Sequence, residues 1–288
     1  MGAPESLTVL DVLRRTEGWL KGRGSATARL DAELLMGSTL GLDRVGVYLA
    51  HDRPLAEDEA ERMRGLVRRR GAGTPGAYLL GSKEFYGLEF HVDARVLVPR
   101  PETEHLVDRA LDALDALGPG PRRVVDVGAG CGAVACALAA RRPEARVVAT
   151  ELCPHAAAVA ADNVRRLVPG DRVRVVRADL LGPIAQGGVD LVVSNPPYVA
   201  HGDPDLHPHV AAHEPAAALY GGEDGLAVYR RLLPAAARAI RGEGWLIVEI
   251  GRGQAEPVTA LAAAAGLGVV DVTQDLAGIP RVLAARPC

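Results

Sequence analysis

The sequence predicts an α/β fold, a mostly parallel, doubly wound sheet behind a small helical N-terminal domain. Three observations predict it. From Glu102 onward, apolar runs of strand length alternate with helix-length segments, the pattern of βαβ units. Before residue 80, apolar residues recur only at helical spacing. The hydrophobic fraction is 48% while aromatics make up only 3%, so the interior must be built from aliphatic strand and helix faces. At 288 residues the chain is long for one domain and short for three, so one large and one small domain is the expected division.

Helices are predicted at 6–22, 26–40 and 56–70, with Ser6, Ser25 and Pro54 as their start signals. Arg62, Arg64, Arg68, Arg69 and Arg70 crowd the end of the third. A solvated helix face, favoured by the C-terminal dipole, accounts for them. Phe85, Leu88, Phe90 and Val92 around Gly87 predict a short hairpin, which Pro99 and Pro101 bring to an end. The division that follows is a helical domain at 1–80, a hairpin connector at 81–98 and a larger domain at 99–288. In the larger domain, strands are predicted at 122–127, 146–151, 172–177, 189–194 and 244–250, with two closing strands at 268–274 and 280–285. Helices at 102–117, 132–142, 154–168, 225–240 and 254–266 separate them, the Ala-rich stretches being good helix formers.

The formal charge of −3 supplies no global attraction to nucleic-acid phosphates. The first residues contain Glu5 and Asp11 and no continuous apolar run, so they do not read as a signal peptide, and no stretch approaches a membrane span. Cys131, Cys136, Cys153 and Cys288 form no C-x-x-C pair and show no zinc-ligand spacing. A cytoplasmic monomer without metal is the expectation.

Val124–Val127 runs directly into Gly128-Ala129-Gly130-Cys131-Gly132, a glycine loop opening a helix, where backbone can approach a ligand closely. A dinucleotide fingerprint is G-x-G-x-x-G; here the spacing is G-x-G-x-G after Asp126, which favours S-adenosylmethionine over NAD. Such a loop also occurs as a plain structural turn, and its companions decide between the two. Glu151 ends the second strand, where a carboxylate can accept both ribose hydroxyls of a bound adenosine. Asp179 follows the third, placed to accept from the adenine amino group while Leu180 packs on the ring. Open α/β sheets bind ligands at the carboxyl ends of their strands.

The fourth strand delivers Ser194-Asn195-Pro196-Pro197-Tyr198 to the same rim. Two consecutive prolines stiffen the backbone and remove two donors, leaving carbonyls free to accept. An amide nitrogen is a poor nucleophile because its lone pair is delocalised, so it has to be aimed. Asn195 Oδ1 and the Pro196 carbonyl can accept its two N–H bonds, and Tyr198 can wall the planar group. The competing reading is a rigid turn without chemistry.

These residues and their flanks resemble the class I methyltransferases that modify the glutamine of peptide chain release factors. The resemblance spans nearly the whole chain and rests on several blocks. They are Gly81 with Glu84–Phe90, then Val98–Glu104, Glu214-Pro215 with Ala218-Leu219, Gly222–Leu226, Glu249–Gly251 with Gln254, and Asp275–Gly278 before Arg281. It implies a Rossmann-like fold and S-adenosylmethionine as cofactor, lined by Gly128, Ala129, Gly130, Cys131, Gly132, Glu151, Asp179, Leu180 and Asn195. It also implies that Asn195, Pro196, Pro197 and Tyr198 hold the glutamine, with Asn195, Pro196 and Tyr198 catalytic, and that Arg100–Glu104 closes over the methionine end. The implied partner is a release factor, recognised through the helical domain, with neither direct nucleic-acid contact nor membrane attachment. Cys131 departs from a usual Ser or Thr, Glu151 from a common Asp, and Ile279-Pro280 precedes Arg281. Methylation of a ribosomal-protein glutamine, or of a nucleic-acid base amino group through the same four-residue motif, remains the alternative.

Overall fold

The computed structural model describes residues 7–288; Ser6 and Glu5 lie outside the described residues. The chain forms two compact units that part between Ser82 and Lys83.

In the first unit, α1 (Val9–Lys21), α2 (Ala28–Leu40), α3 (Arg44–Leu49), α4 (Glu57–Gly71) and α5 (Gly76–Leu80) enclose an apolar core of Val9, Leu35, Met36, Val47, Leu55 and Met63. The helices start later than the sequence signals suggest. Thr8 caps α1, accepting from the Asp11 N–H while Asp11 accepts in return from the Thr8 N–H, a reciprocal box. Ser25 does not cap α2; its hydroxyl donates to Asp31 at 2.8 Å, and buried Asp31 also pairs with Arg70 of α4 at 3.0 Å. Pro54 lies before α4 in an isolated bridge with Thr8. Of the basic stretch, Arg62 and Arg64 pair with Asp58 and Glu57 on the first turn of their own helix. The short α3 and α5 are absent from the sequence prediction, since one or two turns leave too little periodicity to detect.

The second unit opens on a hairpin, β1 (Ser82–Phe85) and β2 (Leu88–His91), joined by the two-residue turn Tyr86-Gly87 with both φ positive. The Tyr86 hydroxyl donates to Asp108 at 2.6 Å, and the His91 N–H donates to Asn163 at 2.8 Å. Then follow a 3-10 turn (Pro101–Thr103), α6 (Glu104–Ala116), β3 (Arg122–Val127), α7 (Ala133–Arg141), β4 (Ala145–Glu151), α8 (Pro154–Leu167), β5 (Val173–Arg177) and β6 (Val189–Ser194). The unit closes with α9 (Pro208–His213), α10 (Ala216–Leu219), α11 (Ala227–Ala239), β7 (Ile240–Glu249), α12 (Ala255–Ala264), β8 (Leu267–Gln274) and β9 (Pro280–Pro287). The seven-stranded sheet has the order β5-β4-β3-β6-β7-β9-β8. β3 through β7 are mutually parallel and β9 runs antiparallel between β7 and β8.

Every residue of β6 is buried, as expected of a central parallel strand covered on both faces. Side chains alternate between those faces. Val125, Val127, Val192, Leu246 and Val248 join Tyr229, Leu232, Leu233 and Val258 of α11 and α12 in one core, while α6 packs on β6, β7 and β9. β7 begins at Ile240 rather than 244 because its pairing with β6 shifts register between Val189 and Leu191. Among the described residues, no helix is long and apolar enough to cross a membrane.

Candidate active site

The sheet order reverses at β3, which lies between β4 and β6. Pairing sets Val127 beside both Thr150 and Ser194, so the glycine loop, Glu151 and Asn195 all leave the sheet at neighbouring points on its carboxyl edge. The Ser194 hydroxyl donates to the Val127 carbonyl at 2.7 Å and locks the two strand ends together. This is the switch point at which open α/β sheets form their ligand crevice.

Gly128 and Gly130 have φ of +74° and +57°, and a Cβ at either would meet nothing within 4 Å. The loop thus combines left-handed backbone with open space on the side where side chains would stand, a cradle suited to close approach by a ligand. Its shape is held from beneath. Asp126 Oδ2 accepts from the Ala135 N–H at 3.0 Å, and Asn163, fully buried in α8, donates to the Cys131 carbonyl at 2.9 Å. Burial pushes the Cys131 thiol up to about 12, so this residue is a small neutral filler. Glu151 accepts from the Gly130 N–H at 2.9 Å and from the Cys153 N–H at 2.8 Å. Each carboxylate oxygen retains a further lone pair, enough for two hydroxyl donors.

Asp179 stands exposed past the end of β5 and pairs with Arg231 of α11 at 2.5 Å, a partner that sequence reasoning did not foresee. Leu180 has φ of +50° and packs half-buried against the main core. A left-handed leucine is strained, and such strain clusters at ligand clamps.

Asn195, Pro196, Pro197 and Tyr198 emerge from β6 into a tight cradle. Gln254 donates from Nε2 to the Tyr198 carbonyl at 2.9 Å and accepts the Gly251 N–H at 2.9 Å. A Cβ on Gly221 would stand 2.6 Å from the Pro197 carbonyl oxygen, and one on Gly225 only 2.3 Å from that of Tyr198. Two chain segments distant in sequence from it, 221–225 and 251–254, thus grip the motif backbone. Asn195 Nδ2 donates to Thr103 Oγ1 at 3.1 Å, while Glu214, almost wholly buried, accepts from Arg100 at 2.5 Å and from the Val98 N–H at 3.3 Å. Arg100–Glu104 is therefore anchored at both ends against the motif's side of the unit.

Glu249, at the end of β7, is 1% exposed, and its Oε1 accepts from the Tyr198 hydroxyl at 3.4 Å. Burial pushes its carboxyl up to about 7, with the Thr103 hydroxyl and Arg281 opposing the rise and Glu102 adding to it. Burial likewise raises the Tyr198 phenol, so it stays protonated. Between about 4.5 and 7 the folded chain binds the Glu249 proton more tightly than the unfolded chain does, so this stability is present at low pH and lost as pH rises through 7. Glu249→Gln removes the ionisation and keeps the shape. Relative to the parent, it is expected to gain roughly 3 kcal/mol between pH 5 and 8, measured by urea unfolding at both values. A pH-independent difference would refute the assignment.

Glu214, Glu249 and Gln254 entered the sequence reading only inside resembling blocks, without a chemical role, Thr103 only as part of the block Arg100–Glu104 over the methionine end, and Asn163 did not enter it at all. The signal for Asn163 is an amide among apolar residues in a helix interior, where such side chains are disfavoured unless bonded. Among the described residues, no group of three His, Cys, Asp or Glu is placed to hold a metal.

Residues 11–81 match the PrmC N-terminal domain family, and residues 107–218 match the methyltransferase small domain family. The chain is 43% identical over 284 residues to the release factor glutamine methyltransferase of Geobacter sulfurreducens, covering 98% of both chains. It is also 43% identical to that of Bradyrhizobium diazoefficiens, over 90% of this chain and 88% of that one. A methyltransferase from Pyrococcus furiosus shares the fold at a TM-score of 0.53 and 19% identity, over 79% of this chain and 98% of its own. Near-complete coverage at this identity, together with a glycine cradle and a gripped Asn-Pro-Pro-Tyr at one switch point, makes this chain a member of the release factor glutamine methyltransferase family.

Proposed function

We propose that this chain transfers a methyl group from S-adenosylmethionine to the side-chain amide nitrogen of the glutamine in the Gly-Gly-Gln motif of peptide chain release factors. One observation carries the reading. Asn195 spends its amide donor on Thr103, which leaves Oδ1 without a protein partner among the described residues, beside the glycine cradle. An acceptor presented there suits a primary amide, which brings two N–H donors.

The cofactor, when bound, supplies an electrophilic methyl group on a sulfonium. Glu151 accepts its ribose hydroxyls, Gly128–Gly132 gives it backbone, and Leu180 packs on its adenine. Asp179 accepts the adenine amino group once it shares its carboxylate with Arg231. Asn195 Oδ1 and the Pro196 carbonyl receive the glutamine N–H bonds and turn the nitrogen toward the methyl group, while Pro197 and Tyr198 bound the planar amide. Catalysis is by positioning and exclusion of water, with the proton leaving to water after transfer. The helical domain, 1–80, serves as the substrate-recognition domain ahead of the hairpin at 81–98 and the catalytic domain at 99–288. Val45, Tyr48 and Leu49 stand exposed on α3, an apolar patch of the kind that marks protein contacts.

Incubation with labelled cofactor and intact release factor, followed by mass spectrometry of tryptic fragments, tests the substrate. Label is expected on the Gly-Gly-Gln peptide and is expected to vanish when that glutamine is replaced by glutamate. A methyl group on adenine or guanine of added nucleic acid, with release factor unmodified, would overturn the reading.

A further inference from the structure

The four-residue motif explains which groups surround a glutamine, but not why Asn195 presents its oxygen to it. A primary amide is nearly symmetric in shape. Rotated by half a turn, Asn195 would fill the same space and offer two N–H donors where an acceptor is required. A site so inverted would repel the glutamine N–H bonds and welcome a carboxylate.

We propose that Thr103 is a positioning residue that sets this choice, and that Glu249 sets Thr103 in turn. The hydroxyl oxygen of Thr103 is 3.1 Å from Asn195 Nδ2 and accepts from it. A hydroxyl that only accepts could equally well donate to the flipped amide, so the orientation is decided by where its own proton goes. The acceptor left for that proton is Oε2 of Glu249, which is buried and without a hydrogen-bond partner, and the Thr103 hydroxyl favours the charged form of Glu249. An O–H directed at the carboxylate turns the hydroxyl lone pairs toward Asn195, which then meets Thr103 with Nδ2 and the crevice with Oδ1. Thr103 is 5% exposed and Glu249 1%, so water does not compete for either group. The Tyr198 hydroxyl donates to the other oxygen, Oε1, at 3.4 Å, so one carboxylate orients both the amide acceptor and the aromatic wall of the motif. Glu249 itself is held in place by backbone, since its carbonyl accepts from the Tyr229 hydroxyl at 2.8 Å.

Selection of amide over carboxylate is thereby assigned to a chain of two residues that never touch the substrate. This rests on the substrate reading above, and the experiment separates the two. The parent enzyme is first shown to methylate intact release factor; failure at that stage would count against the substrate reading rather than against Thr103. Thr103→Val keeps the shape and removes the hydroxyl, and Thr103→Ser restores it. Misorientation of a reacting group is expected to lower kcat by about 100-fold in the valine variant. Cofactor affinity by calorimetry stays within about twofold, and the serine variant recovers to within about threefold of the parent. A further readout is specific to orientation. Release factor carrying glutamate in place of the glutamine is expected to inhibit the valine variant at least about fivefold more strongly than the parent, because the freed amide can turn its donors to the carboxylate. Unchanged kcat in the valine variant would overturn the proposal. So would loss of folding or of cofactor binding along with activity, or inhibition by the glutamate form that matches the parent.

Discussion

Replacing Asn195 with alanine is expected to lower kcat by about 100- to 1000-fold, the usual consequence of deleting one preorganised polar group aimed at a reacting centre. The size of the effect follows from the company Asn195 keeps. It leaves a fully buried strand, its backbone is followed by two prolines, and its amide is tied to Thr103 at 3.1 Å. The acceptor is thus fixed before substrate arrives, and little of its value is spent on ordering. Alanine removes the acceptor and leaves that framework standing, so cofactor binding should weaken far less than turnover. Release-factor methylation at saturating cofactor gives kcat, and calorimetry gives the cofactor affinity. A turnover number within a few-fold of the parent would reduce the motif to a structural turn.

The second large effect is expected at Gly225, which lies against the backbone of Tyr198. Its φ of +72° is a conformation that costs an alanine about 1–2 kcal/mol, and its Cβ would lie 2.3 Å from the Tyr198 carbonyl oxygen and 2.7 Å from Gln254 Nε2. Neither obstacle is the end of a flexible side chain free to swing away. The carbonyl belongs to the motif, and Gln254 is committed to that same carbonyl and to the Gly251 N–H. Overpacking of this kind adds about 1–3 kcal/mol, so Gly225→Ala should lose roughly 3 kcal/mol in urea unfolding and most of its activity. Gly118→Ala is the control. Its φ is +77° but nothing lies within 4 Å of its Cβ, so only the conformational part of the cost should appear. Equal stability losses in the two variants would show that the close approach at Gly225 has no energetic weight.

The strands that form the floor of the site were legible in the sequence because their signal is local. Residues 122–127 and 189–194 are aliphatic runs bounded by turn residues, and β3 and β6 occupy those same ranges. Parallel strands buried on both faces need no partner information to be recognised. Short helices gave no such signal. α9 and α10, at six and four residues, fall below the length at which an apolar period can be seen, and they are stabilised by what they pack against.

By itself, the sequence determined the α/β class, the glycine loop at 128–132, the acid at Glu151 and the arrival of Asn-Pro-Pro-Tyr at the same edge, since each depends on residues adjacent in the chain. Only the tertiary structure decided which groups aim them. Thr103 meets Asn195 across 92 residues, and Glu214 meets Val98 across 116. It also decided that Asp179 pairs with Arg231 and that Glu249 is sealed from water. Burial and pairing depend on which segments the fold stacks together, and a carboxylate in a sequence carries no mark of the medium that will surround it. The same glutamate titrates near 4.5 in water and at about 7 beneath the motif, because removal from solvent penalises its charge more than Thr103 and Arg281 restore.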